Sequence, residues 1–226
     1  MTKIVSNLDL LRRVPLFAML SAVQAEEIAL TVGKQNFGRG EILVKQHARA
    51  DRLFVLLTGR VRVVSNSRSG RQLFLNKLCA GDILDEVSLI DDKPHSAMAI
   101  ADTSTDVLTL SRDDFLRCLQ ANSHVAFAFM TRLVDRLRQA DRRIESFALM
   151  GVHGRVGMAL IENASPCFDG SMVIDEKISR QDLAKMVGAS REMVSRVMKD
   201  LEAKGFIRTE TPSRMTLQST LLQQFA

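Results

Sequence analysis

The sequence predicts an α+β chain in which an antiparallel β domain precedes a long helix and a small helical C-terminal domain. Three observations predict this order. Short apolar and β-branched segments separated by glycines fill residues 18–112, a heptad-like apolar repeat lies within 124–150, and two capped amphipathic helices joined at a glycine occupy 177–208. Short strands with turn signals are typical of antiparallel sandwiches and barrels, whereas apolar steps of three and four residues indicate helices.

Composition sets limits on the class of protein. The 226 residues include 31 Lys and Arg against 26 Asp and Glu, a net charge of +5 that permits a polyanionic partner without requiring one. No run of 18 apolar residues and no secretory signal are visible, so we expect no membrane partner and a cytoplasmic location. The three cysteines, Cys79, Cys118 and Cys167, are scattered and form no disulfide or metal-binding pattern.

The N-terminal elements are predicted from caps, turns and strand composition. Helices are expected at 8–13 and 21–32, the second with a capping box of Ser21 and Gln24. Its apolar contacts are expected from Val23, Ile28 and Leu30. Strands are expected in EILVKQ, RLFVLL, RVRVVS, RQLFLNKL, SAMAIA and DVLTLS, with turns near 66–70 and 80–82.

A short helix is expected to start after a capping box of Ser111 and Asp114, and a long helix should follow at 124–150. The long helix carries an apolar seam with alternating steps of three and four residues: Met130, Leu133, Leu137, Ala140, Ile144 and Phe147. The seam could pack on the chain's own β domain. Arginines and carboxylates that flank it favour instead a parallel two-fold homodimer.

Two helices in 177–208 have the pattern of a helix-turn-helix. Ser179 and Ser190 are candidate N-caps, Gly188 marks the turn, and small Ala184 allows the helices to approach closely. Val194, Val197, Met198 and Leu201 give the second helix its buried stripe. Strands at 172–174 and 215–217 would form a wing, and Gly151 with Gly154 forms a hinge.

The second helix presents a polar reading face: Arg191, Glu192, Ser195, Arg196 and Lys199. Arginine can bridge O6 and N7 of guanine, and glutamate can accept a hydrogen bond from N4 of cytosine. The alternative is a solvated face with an ion pair between Glu192 and Arg196. The caps and the turn glycine favour a helix that reads double-stranded DNA.

In this order of parts the chain resembles the Crp/Fnr family of bacterial transcription regulators. SREMVSRVMKDLEAKGFI is similar to the family's recognition helix and wing, GRVGMALI also fits, and GDILDEVSLIDDKPHSA resembles the segment that cradles a cyclic phosphate and ribose. The predicted fold class is therefore α+β, with an N-terminal antiparallel jelly-roll-like β roll, a long dimerisation helix and a C-terminal winged helix-turn-helix. The predicted domains are 1–121, a cyclic-nucleotide-binding-like sensor, 122–151, the dimerisation helix and hinge, and 152–226, the DNA-binding domain.

The resemblance implies roles for the reading face. Arg191, Glu192 and Arg196 match the base-reading positions of the cyclic-AMP receptor branch, which implies a palindrome with TGTGA-like half-sites. Ser195 matches the serine of the ExxSR pattern in the fumarate-nitrate branch, which reads a related TTGAT-like half-site. We expect DNA phosphate contacts from Ser179, Gln181, Ser190 and Lys199. RNA polymerase is the implied protein partner.

The resemblance also implies an effector pocket: Asp85, Glu86, His95, Ser96 and Asp141. Cyclic-AMP binders carry Gly-Glu and Arg-Ser pairs, whereas this chain has Asp85-Glu86 and His95-Ser96. A carboxylate replaces a position near the phosphate and a permanent cation is lost, so cyclic AMP is disfavoured and cyclic di-GMP stays open. Alternatively, Asp85 and His95 pair with each other in a vestigial pocket, and the protein needs no ligand.

Other functions fit the residues less well. The first cysteine is Cys79, so an N-terminal iron–sulfur cluster is not expected, and the histidines have no metal-binding spacing. No nucleophile–base pair or phosphate-binding GxxxxGK[ST] motif indicates an enzyme. The alternative to a DNA-binding regulator is a cyclic-nucleotide-binding signalling module that acts through protein partners.

Overall fold

The computed structural model describes residues 6–12, 14–68, 70, 72–167, 171–211 and 213–225, which divide into two compact units, Met1–Arg136 and Leu137–Ala226. The helices are α1 Asn7–Arg12, α2 Ala22–Thr31, α3 Glu86–Asp91, α4 Arg112–Ala121, α5 Ser123–Leu149, α6 Val152–Glu162, α7 Arg180–Val187, α8 Arg191–Ala203 and α9 Ser219–Phe225. The strands are β1 Gly33–Phe37, β2 Ile42–Val44, β3 Arg52–Leu56, β4 Arg60–Asn66, β5 Gln72–Cys79, β6 Ile83–Leu84, β7 Met98–Ala101, β8 Thr105–Ser111, β9 Ser165–Pro166, β10 Met172–Ile174, β11 Ile207–Thr211 and β12 Arg214–Leu217. The boundary between the units falls inside α5.

Two four-stranded antiparallel sheets build the N-terminal unit, in the orders β1-β8-β3-β6 and β2-β7-β4-β5. Side chains from both sheets, such as Leu56 and Val107 from the first and Val61 and Ala99 from the second, form one buried cluster. A second cluster lies between the first sheet and the helices, where Phe115 of α4 packs edge-on against Phe129 of α5 at a centroid distance of 5.7 Å. The predicted antiparallel β roll is confirmed.

Most predicted N-terminal elements are present. All six predicted segments contain a strand, and Ser21 and Ser111 cap α2 and α4 as expected. Three elements were not predicted: β1, β6 and α3. Three residues of predicted elements, Arg13, Ser69 and Arg71, lie outside the described residues.

One expectation for α2 is wrong. Val23 is 65% exposed and Leu30 is 88% exposed, whereas Ile28 is buried together with Ala25. The positions of Ala25 and Ile28, three residues apart, face the core, and Val23 and Leu30 lie on the opposite side of the helix. The helix therefore buries a narrower stripe than its apolar content indicates.

The C-terminal unit is built on helices α6, α7 and α8 and a four-stranded sheet in the order β11-β12-β10-β9. The predicted strands at 172–174 and 215–217 fall on β10 and β12, while β9 and β11 were missed. The last helix, α9, closes the unit because Phe225 packs beside Gly157, where an added Cβ would lie 2.6 Å from the ring. None of the helices that the structure describes is long and apolar enough to cross a membrane.

Replacing Gly59 with Ala should strongly destabilise the β roll. Gly59 has a φ of 82°, and a Cβ there would lie 2.4 Å from the backbone oxygen of Ser104 and from Thr105 Oγ1. We expect a loss of about 3 kcal/mol or more in the free energy of unfolding, from the left-handed backbone together with the clash. Urea unfolding followed by circular dichroism measures it, since the chain has no Trp or Tyr.

Gly40→Ala is the matched control. Gly40 has a φ of 89°, but an added Cβ would have nothing within 4 Å. Gly40→Ala therefore measures the cost of the left-handed backbone alone, and we expect a loss of about 1 kcal/mol in the free energy of unfolding. Equal losses in the two variants would show that the contact with Ser104 and Thr105 does not constrain the fold.

Candidate nucleic-acid interface and effector pocket

The helix-turn-helix forms as its sequence predicts. Ser179 Oγ accepts a hydrogen bond from the Asp182 amide at 3.0 Å and caps α7, and Ser190 Oγ accepts one from the Met193 amide at 3.2 Å and caps α8. Gly188 ends α7 in the left-handed region with a φ of 63°. Since a non-glycine residue is strained there, this glycine allows the chain to turn sharply into α8.

The buried side of α8 determines which residues face outward. Val194 and Leu201 are fully buried and pack in one cluster with Leu183 of α7 and with Val156 and Leu160 of α6. Because a helix has 3.6 residues per turn, positions 192, 196 and 199 lie on the side away from this cluster, whereas Val197 and Met198 are buried in it. Arg191, Glu192, Arg196 and Lys199 are exposed, and Ser195 is half-buried.

The carboxyl group of Glu192 is stabilised in its ionised form. Its own backbone amide at the start of α8 and the hydroxyl of Ser190 lower the pKa of the carboxyl group. The side chain is therefore ionised at neutral pH. Among the described residues Glu192 and Arg196 do not pair with each other, so the charge of Arg196 remains available to a ligand, whereas the carboxylate of Glu192 is hydrogen-bonded to the Ser190 hydroxyl.

The positions expected to contact phosphate differ in their availability. Gln181 and Lys199 are exposed. Ser179 Oγ already donates to Asp182 Oδ2 at 2.6 Å, and the Ser190 hydroxyl is hydrogen-bonded to Glu192, so both hydroxyl protons are used within the caps. A phosphate at either serine would have to exchange with a carboxylate or use the backbone amide.

A cleft of about 400 Å³ opens beside the start of α7 and is bordered by the wing. Lys177, Arg180 and Arg191 contribute cationic side chains to it, against one lining carboxylate, Glu176. Arg214 also lines the cleft, but it is paired with Asp175 at 3.2 Å and with Glu210 at 3.1 Å. Sequence reasoning did not single out Arg180 or Arg214. An arginine directly before the predicted wing strand at 215–217 was the available signal for Arg214.

The residues of the predicted seam on α5 differ in how much of each side chain is exposed. Met130 is 52% exposed in the N-terminal unit, while Leu133 packs against the core of that unit. In the C-terminal unit Leu137 and Ile144 are 62% and 66% exposed. Ala140 is exposed as well, and Phe147 contacts its own chain. Three large apolar residues outside the predicted set are also exposed on α5: Phe127, Val134 and Leu149.

Three of the predicted pocket residues come together at the start of α3. Asp85, Glu86 and His95 are all buried, at 9%, 4% and 7% exposure. His95 Nδ1 lies 2.5 Å from Asp85 Oδ1, the pairing expected of a vestigial pocket. Ser96 is exposed. Asp141 is also exposed and belongs to the C-terminal unit.

The backbone holds this pair in place. His95 donates its amide to the Ala48 carbonyl at 2.9 Å, and its own carbonyl accepts from the His47 amide at 2.8 Å. Asp85 has a φ of 83°, a left-handed conformation that is strained for a residue with a side chain. The strain persists because strand pairing of β6 on one side and α3 on the other fix both neighbours of this residue.

Burial shifts the pKa values of Asp85 and His95. Burial raises the pKa of Asp85 to about 7, the charges of Glu86 and Asp51 add to the rise, and the Ser88 hydroxyl opposes it. Burial also lowers the pKa of His95, against the opposite effect of Asp51. Glu86 Oε1 accepts a hydrogen bond from Arg136 of α5, and Glu86 Oε2 is buried with no partner among the described residues.

The substitution Asp85→Asn should weaken the pH dependence of the free energy of unfolding. An aspartate titrates near 3.9 in an unfolded chain, and Asp85 binds its proton more tightly when folded. Its stabilising contribution is complete below about pH 4 and is lost as the pH rises through about 7. The lowered pKa of His95 acts in the opposite sense, with stability lost as the pH falls.

We expect Asp85→Asn to reduce the loss of unfolding free energy between pH 5 and 7.5 by about 2 kcal/mol. Urea titrations at the two pH values measure this change. Asp92→Asn, at an exposed residue of positive φ, serves as the control and should match the wild type. An unchanged pH dependence in Asp85→Asn would show that Asp85 does not hold a proton at neutral pH.

No group of three or more His, Cys, Asp or Glu side chains in the described ranges is arranged to hold a metal ion. Cys118 is buried, which raises the pKa of its thiol to about 11 and leaves it unreactive.

Each of the two units contains a segment that matches a known protein family. Residues 34–122 match the family described as cyclic nucleotide-binding domain, and residues 177–207 match the bacterial regulatory proteins of the crp family. The chain is 30% identical over 171 residues to the cAMP-activated global transcriptional regulator Vfr of Pseudomonas aeruginosa, covering 72% of this chain and 78% of that protein. It is 27% identical over 216 residues to the cyclic AMP receptor protein of Thermus thermophilus, covering 94% and 96%.

Among solved structures, the c-di-GMP responsive global regulator CLP of Xanthomonas campestris superimposes with a TM-score of 0.72 at 20% identity, over 87% of this chain and 98% of that one. This likeness concerns the fold alone. The relatives are DNA-binding transcription regulators, which disfavours a signalling module that acts through protein partners. The capped helix-turn-helix, the β roll and these relatives together show that the chain belongs to the Crp/Fnr family and is a DNA-binding transcription regulator.

Proposed function

We propose that this protein binds, as a homodimer, a palindrome with TGTGA-like half-sites and reads it with the N-terminal half of α8. The exposed trio of Arg191, Glu192 and Arg196 at the capped start of that helix carries the proposal. Recognition helices contact base edges from their N-terminal residues. Arginine suits guanine, and an ionised glutamate suits cytosine N4.

The burial of Ser195 supports the TGTGA-like half-site over the TTGAT-like one. Ser195 is half-buried, whereas Arg191 is exposed and can reach an additional guanine. Gln181, Lys199, and the amides of Ser179 and Ser190 would contact phosphates and set the position of the protein on the duplex. In the neighbouring cleft, Lys177 and Arg180 add positive charge beside this surface, whereas the charge of Arg214 is paired with Asp175 and Glu210.

Homodimerisation through α5 is supported by the exposed apolar side chains. Met130, Leu137 and Ile144 follow heptad spacing and are each more than half exposed in the single chain. Covering such a stripe removes apolar surface from water, and a second copy supplies a matching stripe. Two recognition helices are also what a palindromic site requires. RNA polymerase is the proposed partner in regulation, and the domains proposed are 1–121, 122–151 and 152–226.

The effector pocket does not fit the phosphate of cyclic AMP. Asp85 and Glu86 present buried carboxylates, and His95 is held neutral by burial, so an entering anion meets no fixed cation from these residues. Once Asp85 loses its proton, as the pH rises through about 7, its charge and that of an anion about 4 Å away repel by roughly 4 kcal/mol at an effective dielectric constant of 20. We infer that the protein binds DNA without cyclic AMP, with cyclic di-GMP as the nucleotide still to be tested.

Arg196→Ala should reduce sequence-specific binding and leave non-specific binding unchanged. Loss of an arginine–guanine contact costs about 1–3 kcal/mol on the palindrome. Fluorescence anisotropy on a TGTGA palindrome and on a scrambled duplex, at one fixed salt concentration, measures the two affinities. Lys199→Ala is the control, and it should weaken both duplexes alike. Equal losses on both duplexes in Arg196→Ala would contradict a base-reading role.

Cyclic AMP should not increase the affinity of the wild-type protein for the palindrome. The same anisotropy assay, without ligand and with cyclic AMP, cyclic GMP or cyclic di-GMP, tests this. The double variant Asp85→Gly with His95→Arg removes a carboxylate and adds a permanent cation, so it should gain a response to cyclic AMP. Wild-type binding that requires cyclic AMP would refute our assignment of the pocket.

A further inference from the structure

Phe147, near the end of α5, lies against the turn of the helix-turn-helix in the same compact unit. A Cβ added at Gly188 would come 3.0 Å from Cε1 and 3.7 Å from Cζ of this ring. The ring edge therefore packs directly on the turn that joins α7 to α8. Gly188 has two reasons to lack a side chain, namely its φ of 63° and the proximity of this ring.

Arg155 of α6 covers the same ring. Its guanidinium carbon lies 5.3 Å from the ring centroid, a cation–π distance, and its Nη1 donates to the Met150 carbonyl at 3.5 Å. Arg155 Nε is buried and has no hydrogen-bond partner among the described residues, in keeping with its position over an aromatic face. Arg155 thus contacts both the ring and the connection between α5 and α6.

That connection consists of Met150 and Gly151. A Cβ added at Gly151 would have no neighbour within 4 Å. The backbone of such a short link would by itself allow the angle between α5 and α6 to change. An ion pair of 3.6 Å between Arg143 of α5 and Glu162 of α6 also restricts it, and the side chain of Met150 packs beside Gly154 of α6. These side-chain contacts, rather than the backbone of the link, fix the angle between α5 and α6.

We propose that Phe147, held by Arg155, is a positioning residue that fixes the helix-turn-helix on the end of α5 and so sets the half-site spacing that the dimer binds. The inference rests on the proposed function, since spacing has meaning only for two recognition helices on one palindrome. Half-sites of such dimers lie about one helical turn of DNA apart, roughly 34 Å. A rotation of each recognition helix about Met150 and Gly151 changes that separation.

This role differs from the one that the heptad pattern predicts for Phe147. A seam residue contributes to dimer affinity, whereas a positioning residue contributes to spacing selectivity. The ring is 40% exposed, less than Ile144 at 66%, because Gly188 and Arg155 cover part of it. The two roles therefore predict opposite patterns in two measurements.

The experiment uses the full-length protein and palindromes whose half-sites are separated by the best spacer or by one or two base pairs more or fewer. Anisotropy gives the ratio of affinities for the best and altered spacers, and sedimentation equilibrium gives the dimer dissociation constant. Phe147→Ala should lower the spacing ratio about tenfold, equivalent to about 1.4 kcal/mol, and leave dimer dissociation within about twofold of wild type.

Two variants serve as controls. Leu149→Ala alters a side chain that is 78% exposed on the same helix, and it should match the wild type in both measurements. Ile144→Ala should weaken the dimer and keep the spacing ratio. Arg155→Lys keeps the charge but loses the planar group over the ring, so it should lower the spacing ratio less than Phe147→Ala does. It also tests the inference if Phe147→Ala does not fold.

The outcomes separate the inference from the function on which it rests. An unchanged spacing ratio in Phe147→Ala and Arg155→Lys, or a loss of dimer affinity in Phe147→Ala like that of Ile144→Ala, would overturn the positioning role alone. Wild-type protein that binds palindromic and scrambled duplexes equally would overturn the proposed function, and the positioning role with it.

Discussion

Burial of Val194 and Leu201 against α6 and α7 orients the whole recognition helix. A large aliphatic side chain gains about 1.5–3 kcal/mol when it is fully buried, so rotating α8 to bury its charged side would lose several such contacts and also desolvate arginines. The same cluster receives side chains from β11, β12 and α9. The wing and the C-terminal helix are thereby held on the core that presents Arg191 and Arg196.

The N-terminal unit retains the architecture of a nucleotide sensor with a different internal charge pattern. Where an anion would require cations and amide donors, Asp85, Glu86 and His95 bring carboxylates and a neutral imidazole. Their burial is tolerated because Asp85 can share a proton with His95 and because Arg136 neutralises one oxygen of Glu86. The pocket is only partly satisfied from within the chain, because Glu86 Oε2 has no hydrogen-bond partner among the described residues.

Sequence reasoning predicted the elements whose signals are local. The caps at Ser179 and Ser190 and the turn at Gly188 depend on a few neighbouring residues, and the six recognised strands are rich in apolar residues. β1 was missed because GKQNF is polar and is ordered by pairing with β8, far along the chain. The contact of Phe147 with Gly188 was also missed, since a heptad pattern identifies an apolar side of a helix but not its partner.

Close packing of Phe225 on Gly157 links two distant positions of the chain in evolution. A side chain at position 157 would collide with the ring of Phe225, because its Cβ alone would lie 2.6 Å from a ring carbon. Such a substitution therefore requires a smaller residue at position 225 in the same lineage. Regulators with alanine or larger at 157 should therefore carry a shorter residue at 225 or lack the final helix. The final turn of α9 would then be inherited together with a glycine nearly seventy residues earlier, and the two would change as a pair.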